Sequence, residues 1–445
     1  MVLSCQIVDD SAPEPDESFI KYYGDLTTYE ARDIELLQDS SSYVVFGDEL
    51  NATDGRTDFS IWRINSDGVR SGGPRLFSFD IPLGTDEDEN GEEDVLRGNG
   101  TASQIEVYDG GFAVVGTTEI NDNSRQIFNV KVANIAFLDV EFNLVLDTII
   151  TFPAGAPEDG LDFFGSDIIR TQDENFLFVG SREIDRGNGV TDFDYQLIKL
   201  GANIEGNRVI GFSETINISG DGQDDFAVRV FEKNDGNIVI IGYTEDKSDF
   251  GENSGNNGTN VSFTELTSEG KLLNNRSYGL DNPGDGVVFN EVVNDAVLTS
   301  SGIAIAGTTT LATEESYAFF MNLTQSGIFL SGDTLTSSFG FGIETQGNGI
   351  VQTIGNDFII LGSYNSLTID QQSRLGEAMF MKVDQSGNPV SGSEVNYGTI
   401  DGSDSAIDGL LLPDGKISVL ANIDFGGGVR LLSLIKTDDN GQLEN

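Results

Sequence analysis

A short phrase that recurs seven times is the feature that most constrains how this chain can fold. Each copy is four mostly apolar residues followed by glycine, and consecutive copies end 55 to 69 residues apart. The copies occupy residues 43–47, 112–116, 176–180, 238–242, 303–307, 358–362 and 417–421, and only the last replaces glycine with alanine. A period of this length is typical of repeated structural units, so seven such units are expected.

The surroundings of each copy predict the structure of one unit. A tight-turn pair such as Asp109-Gly110 or Ser301-Gly302 precedes the phrase, and such pairs favour short hairpins. A second apolar strand, another turn pair such as Ser386-Gly387, and a short fourth strand come after it. Each unit is therefore predicted to be four antiparallel strands. The units must stack, because one alone cannot bury both of its faces.

The ends of the chain predict that the array closes into a ring. The seventh unit ends after its third strand, whereas residues 19–24 read like a fourth strand that precedes the first unit. Four-stranded units arranged radially make a β-propeller of roughly four to eight blades. We therefore predict an all-β, seven-bladed β-propeller over residues 19–445, whose last blade is closed by the N-terminal strand. An open array or two β-sandwiches are the alternatives.

The repeat also resembles that of a known group of proteins. Residues 109–116 read Asp-Gly-Gly-Phe-Ala-Val-Val-Gly, and residues 380–387 read Phe-Met-Lys-Val-Asp-Gln-Ser-Gly. Both are similar to the phrase of long-repeat bacterial β-propeller lipoproteins, of the kind found on the outer membrane and surface of Bacteroidota-type bacteria. The resemblance covers nearly the whole chain. It implies the propeller fold and says little about a specific function.

Composition excludes several kinds of function. The chain has 74 Asp and Glu against 24 Lys and Arg, a formal net charge of −50, and such a surface repels the phosphates of nucleic acids. It has no histidine, which excludes Ser-His-Asp and Cys-His catalysis and histidine metal ligands. No pair of carboxylates has a distinctive spacing, and no phosphate-binding loop is present. The sequence therefore predicts a protein that is not an enzyme.

Residues 1–18 are predicted to be a lipoprotein signal remnant and an acidic tether. Residues 1–5 read Met-Val-Leu-Ser-Cys, which resembles a lipobox, where apolar and small residues precede the modified cysteine. Cys5, the only cysteine, is thus the predicted lipidation site, and more than one acyl chain gives stable anchoring. This predicts a lipid-anchored, surface-exposed protein of the bacterial outer membrane. An incidental cysteine in a disordered tail is the alternative.

One dense acidic loop is a weak candidate for a calcium site. Asp86, Asp88 and Asn90 alternate before a glycine and Asp94 follows, which could place several side-chain oxygens on one side of a tight loop. Ca²⁺ prefers about six to eight oxygen ligands. The loop occurs once, and a solvated acidic loop is the alternative. No other cofactor is predicted.

Other charged residues recur at equivalent places in the repeat. Acidic turns at residues 221–225, 281–285 and 401–404 precede first strands, so they are expected on one face of the disc. They would form either an anionic docking face or ordinary turns, since Asp and Gly favour turns. Lys199, Lys382 and Lys436 share one strand position and are expected to pair with acidic groups rather than to act in catalysis.

The function expected from these features is binding rather than catalysis. The first hypothesis is a non-enzymatic, lipid-anchored scaffold subunit of an outer-membrane protein complex for barrel assembly, secretion or nutrient uptake. Its partners would be an outer-membrane protein and the membrane, and not nucleic acid. The alternatives are a surface lipoprotein that binds or cleaves glycans, and a calcium-dependent adhesin.

Overall fold

Seven four-stranded antiparallel sheets form a ring, and the protein is a β-propeller. The computed structural model describes residues 18–24, 28–37, 39–50, 55–78, 81–82, 95–96, 98–122, 127–146, 161–202, 208–245, 258–280, 289–311, 313, 315–335, 343–366, 376–399, 402–427 and 429–443. These residues form strands, turns and loops without a helix, and so without a helix that could span a membrane. The predicted all-β, seven-bladed fold is confirmed.

The strands follow one another blade by blade along the chain. After β1 (Phe19–Tyr23), blade 1 consists of β2 (Tyr29–Leu36), β3 (Ser42–Leu50), β4 (Thr57–Asn65) and β5 (Arg75–Phe77). A ribbon of β6 (Ile81–Pro82) and β7 (Val95–Leu96) leads to blade 2, which consists of β8 (Asn99–Tyr108), β9 (Gly111–Asp122), β10 (Ile127–Leu138) and β11 (Leu144–Leu146). Blade 3 consists of β12 (Phe163–Arg170), β13 (Phe176–Gly187), β14 (Val190–Ala202) and β15 (Arg208–Ile216).

The remaining blades repeat this plan. Blade 4 consists of β16 (Asp225–Glu232), β17 (Ile238–Thr244), β18 (Asn260–Leu266) and β19 (Leu272–Tyr278). Blade 5 consists of β20 (Phe289–Leu298), β21 (Ile303–Leu311), β22 (Ser316–Leu323) and β23 (Phe329–Leu335). Blade 6 consists of β24 (Ile343–Gln352), β25 (Phe358–Ser366), β26 (Glu377–Val383) and β27 (Val395–Tyr397). Blade 7 consists of β28 (Ser405–Leu411), β29 (Ile417–Asp424), β30 (Arg430–Thr437) and β1.

The recurrent phrase forms the second strand of every blade, and its glycine is required by a close approach of the first strand. A Cβ atom on Gly362 would lie 1.7 Å from the carbonyl oxygen of Gln346, and one on Gly47 would lie 2.3 Å from that of Glu30. The apolar residues of the phrase are buried between neighbouring blades, as where Ile241 of blade 4 shares a core cluster with Phe319 of blade 5. The glycine of the phrase is therefore required by strand pairing within a blade, and its apolar residues are required by packing between blades.

The N-terminal strand closes the ring, as predicted. β1 pairs antiparallel with β30, from Phe19 opposite Lys436 to Tyr23 opposite Leu432. The Tyr23 hydroxyl also donates a hydrogen bond to the carbonyl oxygen of Gly68 in blade 1, over 2.7 Å. This contact recurs at two other blade interfaces, which explains why fourth strands end on an aromatic residue. These tyrosine latches are Tyr23 to Gly68, Tyr278 to Gly327 and Tyr397 to Gly441.

The three recurrent lysines pair with acidic side chains, as expected. The Lys199 Nζ atom lies 2.7 Å from a carboxylate oxygen of Asp173, and the Lys436 Nζ atom lies 3.0 Å from one of Asp414. The Lys382 Nζ atom lies 3.6 Å from a carboxylate oxygen of Asp439, in the last turn of the next blade. These lysines fix turns at the face opposite the start of the first strands, and their role in the fold is structural.

Candidate functional site

The first strands of the seven blades surround a central channel. Each contacts the first strand of the next blade, and β28 contacts β2 to complete the circle. Where these strands begin, the channel widens into a cavity of about 790 Å³ that side chains from all seven blades line. This cavity is called the mouth below, and its size and concave shape could hold a ligand.

Every first strand carries a β-bulge at the same position, at the level of the mouth. In blade 1 the pairing with β3 skips from Ala31 to Asp33, which leaves Arg32 as the extra residue. A bulge of this kind redirects a side chain, and bulges are common next to binding sites. The seven bulge residues are Arg32, Ser103, Ser166, Val228, Asn294, Asn348 and Ile407.

The residues just after the bulges form a second, deeper circle, called the axial ring. The ring consists of Asp33, Gln104, Asp167, Arg229, Asp295, Gly349 and Asp408. Each aspartate accepts a backbone N–H from the first strand of the next blade, as where Ile350 donates to Asp295 over 2.9 Å. The other three donors are Ile105 to Asp33, Val230 to Asp167 and Ile34 to Asp408. The ring therefore ties neighbouring blades together at the axis.

Arg229 is the one cation of the axial ring and forms the floor of the mouth. Its Nε atom donates to Asp295 over 2.7 Å, and its Nη1 atom lies 3.6 Å from a carboxylate oxygen of Asp167 and donates to Gln104. Its side chain is 17% exposed, so the guanidinium faces the mouth while bonding to three other blades. Burial raises the pKa of Asp295 to about 6 despite this pairing.

Two glutamates lie one step deeper in the channel, beyond the ring. Burial raises the pKa of Glu35 to about 8, and the nearby charge of Glu106 adds to this effect. Burial likewise raises the pKa of Glu106 to about 7, against a hydrogen bond from the Arg170 backbone. Perturbed carboxyl groups mark functional sites in many enzymes. These two do not line the mouth, because the axial ring lies between them and it.

One wall of the mouth is aromatic. Phe164, Phe226 and Tyr243 of blades 3 and 4 line it, and Phe193 links them into a row. The ring centroids of Phe226 and Tyr243 are 5.1 Å apart and nearly parallel, and Phe193 lies 5.0 Å from Phe226. All four rings are half-buried, so the row offers an apolar surface at the edge of a polar cavity.

The wall across the mouth is charged and internally paired. One carboxylate oxygen of Glu30, in blade 1, lies 2.8 Å from the guanidinium of Arg430. The other lies 2.6 Å from the guanidinium of Arg32. Arg32 also lies 3.0 Å from the buried carboxylate of Asp48. The side chains of Glu30, Arg32 and Arg430 are 36%, 37% and 31% exposed. This cluster is therefore reachable from the mouth although each arginine has a carboxylate partner.

Uncharged polar side chains occupy the space between the two walls. Asn294 and Asn348 donate their amide N–H groups to carbonyl oxygens of the next blade, Gly347 at 2.6 Å and Ala406 at 2.9 Å. Their side-chain oxygens are left as acceptors at the mouth. Ser103, Ser166, Ser405 and Gln346 add hydroxyl and amide groups to the same lining.

The site residues predicted from the sequence fall outside this region. Cys5 and the calcium candidates Asp86, Asp88, Asn90 and Asp94 lie outside the described residues, so their roles stay predictions. Within the described part of the chain, no group of three or more acidic or cysteine side chains could hold a metal ion.

The acidic turns before first strands act as turn-forming groups where the structure describes them. Asp225 accepts the backbone N–H of Ile218 over 2.7 Å, and Asp404 accepts that of Thr399. Asp404 also lines the mouth. Residues 281–285 lie outside the residues that the structure describes. The expectation of ordinary turn chemistry fits Asp225 and Asp404.

The mouth and the axial ring are the features that the sequence prediction missed. Aligning the seven first strands on their phrases would have revealed the ring in five of the blades, as a polar position followed by an apolar one, as in Asp33-Ile34 and Arg229-Val230. The sole tryptophan did not indicate the site, because Trp62 is buried in the core of blade 1 rather than in the mouth.

Comparisons with known proteins identify no family. No protein-family model and no curated protein matches the chain. Among solved structures, a protein of unknown function from Dyadobacter fermentans is 11% identical with a TM-score of 0.42, over 95% of this chain and 97% of that chain. The periplasmic gluconolactonase of Pseudomonas aeruginosa is 12% identical with a TM-score of 0.44, over 91% of this chain and 94% of that chain.

Other similar structures include carbohydrate-active enzymes. A polysaccharide lyase is 11% identical with a TM-score of 0.47, and the match covers 94% of this chain and 91% of that chain. Similarities with identities and TM-scores this low transfer no activity to this chain. The resemblance to bacterial lipoprotein propellers therefore stays a prediction, while its expectation of a propeller is confirmed.

Proposed function

We propose that this protein is a non-enzymatic carbohydrate-binding propeller that holds a glycan in the mouth of its central channel. The observation that carries the proposal is the pairing of an aromatic wall, formed by Phe164, Phe226 and Tyr243, with a polar wall across a cavity of about 790 Å³. Ligand sites are typically concave, partly aromatic and supplied with a few fixed polar groups, in cavities of roughly 300–1,000 Å³.

The chemistry of the two walls suits a sugar better than a wholly apolar ligand. A pyranose has an apolar C–H face that packs on aromatic rings and a rim of hydroxyl groups that donate and accept hydrogen bonds. The row at Phe226 and Tyr243 supplies the packing surface. Asn294, Asn348 and the carboxylate of Glu30 supply acceptor oxygens for those hydroxyl groups, at positions that other bonds fix. Fixed groups lose little entropy on binding.

We propose binding rather than catalysis because the carboxylates of the mouth are already engaged. A general acid or base must reach the substrate with a proton that it can give or take. Glu30 is paired with two arginines, Asp295 with Arg229 and a backbone N–H, and Asp404 with backbone N–H groups. Incubating the protein with the glycans that it binds, followed by mass spectrometry of the products, would expose any cleavage.

The setting that we propose is the outer surface of a bacterial outer membrane. It is supported by the lipobox-like residues before Cys5 and by the acidic tether that follows, and it includes an outer-membrane partner protein that would receive or present the glycan. Mass spectrometry of the native N-terminus tests it: an unmodified Cys5 in membrane fractions would contradict anchoring. Copurification after mild detergent extraction would identify a stoichiometric partner.

A glycan array tests the proposed function directly. The wild-type protein should bind a defined set of oligosaccharides, and Phe226→Ala and Tyr243→Ala should each weaken that binding at least tenfold, about 1.4 kcal/mol. Phe329→Ala is the matched control, since Phe329 is an aromatic residue that is 42% exposed on the fourth strand of blade 5. Absence of binding, or binding that survives both mouth substitutions, would overturn the proposal.

A further inference from the structure

Every arginine that lines the mouth already has a carboxylate partner. Arg430 pairs with Glu30 at 2.8 Å, Arg32 with Glu30 at 2.6 Å and with Asp48 at 3.0 Å, and Arg229 with Asp295 at 2.7 Å. A charge-assisted hydrogen bond to an anionic ligand would have to compete with these pairs. Among the residues that the structure describes, the positive charge of the mouth is therefore already paired with carboxylates.

The balance of charge around the mouth also disfavours the binding of anionic ligands. Its lining includes three arginines and four carboxylates, Glu30, Asp295, Asp404 and Asp408, and the whole chain carries a formal charge of −50. Asp33 and Asp167 lie just behind the lining in the axial ring, next to Arg229. Like charges placed close together repel, so a carboxylate or sulfate would meet net repulsion there.

We infer that the mouth selects uncharged glycans over uronate or sulfated ones, and that Glu30 is the residue that determines this selectivity. The inference rests on the proposed function and specifies its ligand class. Glu30 pairs with two partly exposed arginines at once, because each of its carboxylate oxygens contacts a different guanidinium. Removing its charge would leave the guanidinium of Arg430 without its ion-pair partner and free one face of Arg32, which together form a fork for a carboxylate.

The test compares the wild-type protein with Glu30→Gln, which keeps the shape of the side chain and removes its charge. The probe is an array on which each neutral oligosaccharide stands beside its counterpart oxidised at C6 to the uronic acid. Wild type should bind neutral spots at least tenfold more tightly than their oxidised counterparts. Glu30→Gln should gain at least tenfold on the oxidised spots, and Glu30→Asp, which keeps the charge, should show no such gain.

A matched control separates local from general effects of charge. Asp109→Asn removes one negative charge from the turn at the opposite end of the channel, where Asp109 lies 3.2 Å from Arg170. It should leave the array pattern unchanged. A gain on oxidised spots equal to that of Glu30→Gln would show that overall charge governs selectivity, and would overturn the role of Glu30. Wild-type binding to oxidised and neutral spots with equal affinity would overturn the selectivity itself.

Calorimetric titration with sodium glucuronate distinguishes this inference from the proposed function. If no spot on the array binds any protein, the proposed function fails. Glucuronate should still give binding heat with Glu30→Gln and none with wild type, because the freed arginines do not depend on the rest of the glycan. Equal heats from the two proteins, which thermal unfolding must first show to be equally folded, would overturn the inference.

Discussion

A single guanidinium, that of Arg229, offsets the four aspartates of the axial ring. It bonds to Asp295 at 2.7 Å and lies 3.6 Å from Asp167, on first strands either side of its own. Removing one partner of a buried ionic cluster leaves the other charges uncompensated, which typically costs about 3–5 kcal/mol. The residue that a ligand would meet at the floor of the mouth therefore also holds the centre of the ring together.

This arrangement predicts a large effect of Arg229→Met on stability. The free energy of unfolding should fall by about 3–5 kcal/mol, because Asp167 and Asp295 lose their cation while buried. Urea unfolding followed by tryptophan fluorescence measures it. The exposed Arg75, whose guanidinium donates to Asn143, is the control, and Arg75→Met should change stability by less than about 0.5 kcal/mol. Equal losses for the two variants would contradict the ring's role.

The two deep glutamates predict how stability depends on pH. The pKa of Glu35 is raised from 4.5 to about 8 in the fold, so the folded state binds its proton more tightly than the unfolded state does. The stabilisation is complete below pH 4.5 and is lost as the pH rises through 8. The corresponding loss for Glu106 occurs between pH 4.5 and about 7.

Glu35→Gln should therefore stabilise the protein at pH 8 and leave it unchanged at pH 4. We expect a gain on the order of 1 kcal/mol, because the side chain is only partly buried. Thermal unfolding of wild type and variant at both pH values measures it. Glu141→Gln, at an exposed turn, is the control and should show no gain. A gain of the same size at pH 4 would show that ionisation is not the cause.

At the scale of the strand, the glycine of the repeated phrase and the bulge in the neighbouring first strand are parts of one structural feature. The six glycines lie where the first strand comes too close for a side chain, and the first strand then shifts register by one residue. Blade 7 shows that the smallest side chain can be accommodated, because Ala421 occupies this place opposite Ala406. How closely the strands approach therefore differs from blade to blade.

Gly362→Ala tests that close approach. The new Cβ atom would lie 1.7 Å from the carbonyl oxygen of Gln346, so strand β24 must move, at a cost of about 1–3 kcal/mol. Chemical denaturation measures the loss. Gly73→Ala is the control, since a Cβ atom there would meet no other atom within 4 Å. An unchanged stability of Gly362→Ala would mean that the glycine is not required by packing.

The sequence predicted the strands and failed to predict the site, for a physical reason. Strand and turn signals are local: the Ser386-Gly387 pair and the apolar run at 358–361 each specify their own conformation. The mouth is assembled from single residues that lie about sixty positions apart along the chain, such as Ser103, Ser166 and Val228. Their common position depends on a bulge, which no single residue type marks, since arginine, serine, valine, asparagine and isoleucine all occupy it.

For the whole molecule, closure by the first strand is the prediction that the structure confirms most directly. The missing fourth strand of the seventh unit and the surplus strand at residues 19–24 could be matched by counting. The tyrosine latches were visible only as aromatic-glycine endings, because the sequence does not say that Tyr23 reaches Gly68 of the next blade.

Truncation at the closing strand should destabilise the whole ring. A protein that begins at residue 25 lacks β1 and leaves the edge of β30 unpaired, and exposed edges of this kind promote aggregation. We expect oligomers by size-exclusion chromatography and a lower unfolding temperature than for a protein that begins at residue 18. A synthetic peptide of residues 18–24 should bind the truncated protein and restore a monomer. A stable monomer without the peptide would contradict the closing role of β1.

Closure also has a consequence for the order of events when the protein is made. The partner of Phe19 is Lys436, so one of the first strands to leave the ribosome has no place in the ring until nearly all the rest of the chain has been synthesised. Contacts between such distant positions form slowly, because a long loop must close before they contribute any energy. Six blades can assemble in sequence during synthesis or export, whereas the seventh cannot. The cell must therefore keep an unpaired strand at the start of the chain from finding the wrong partner until the end of the chain arrives.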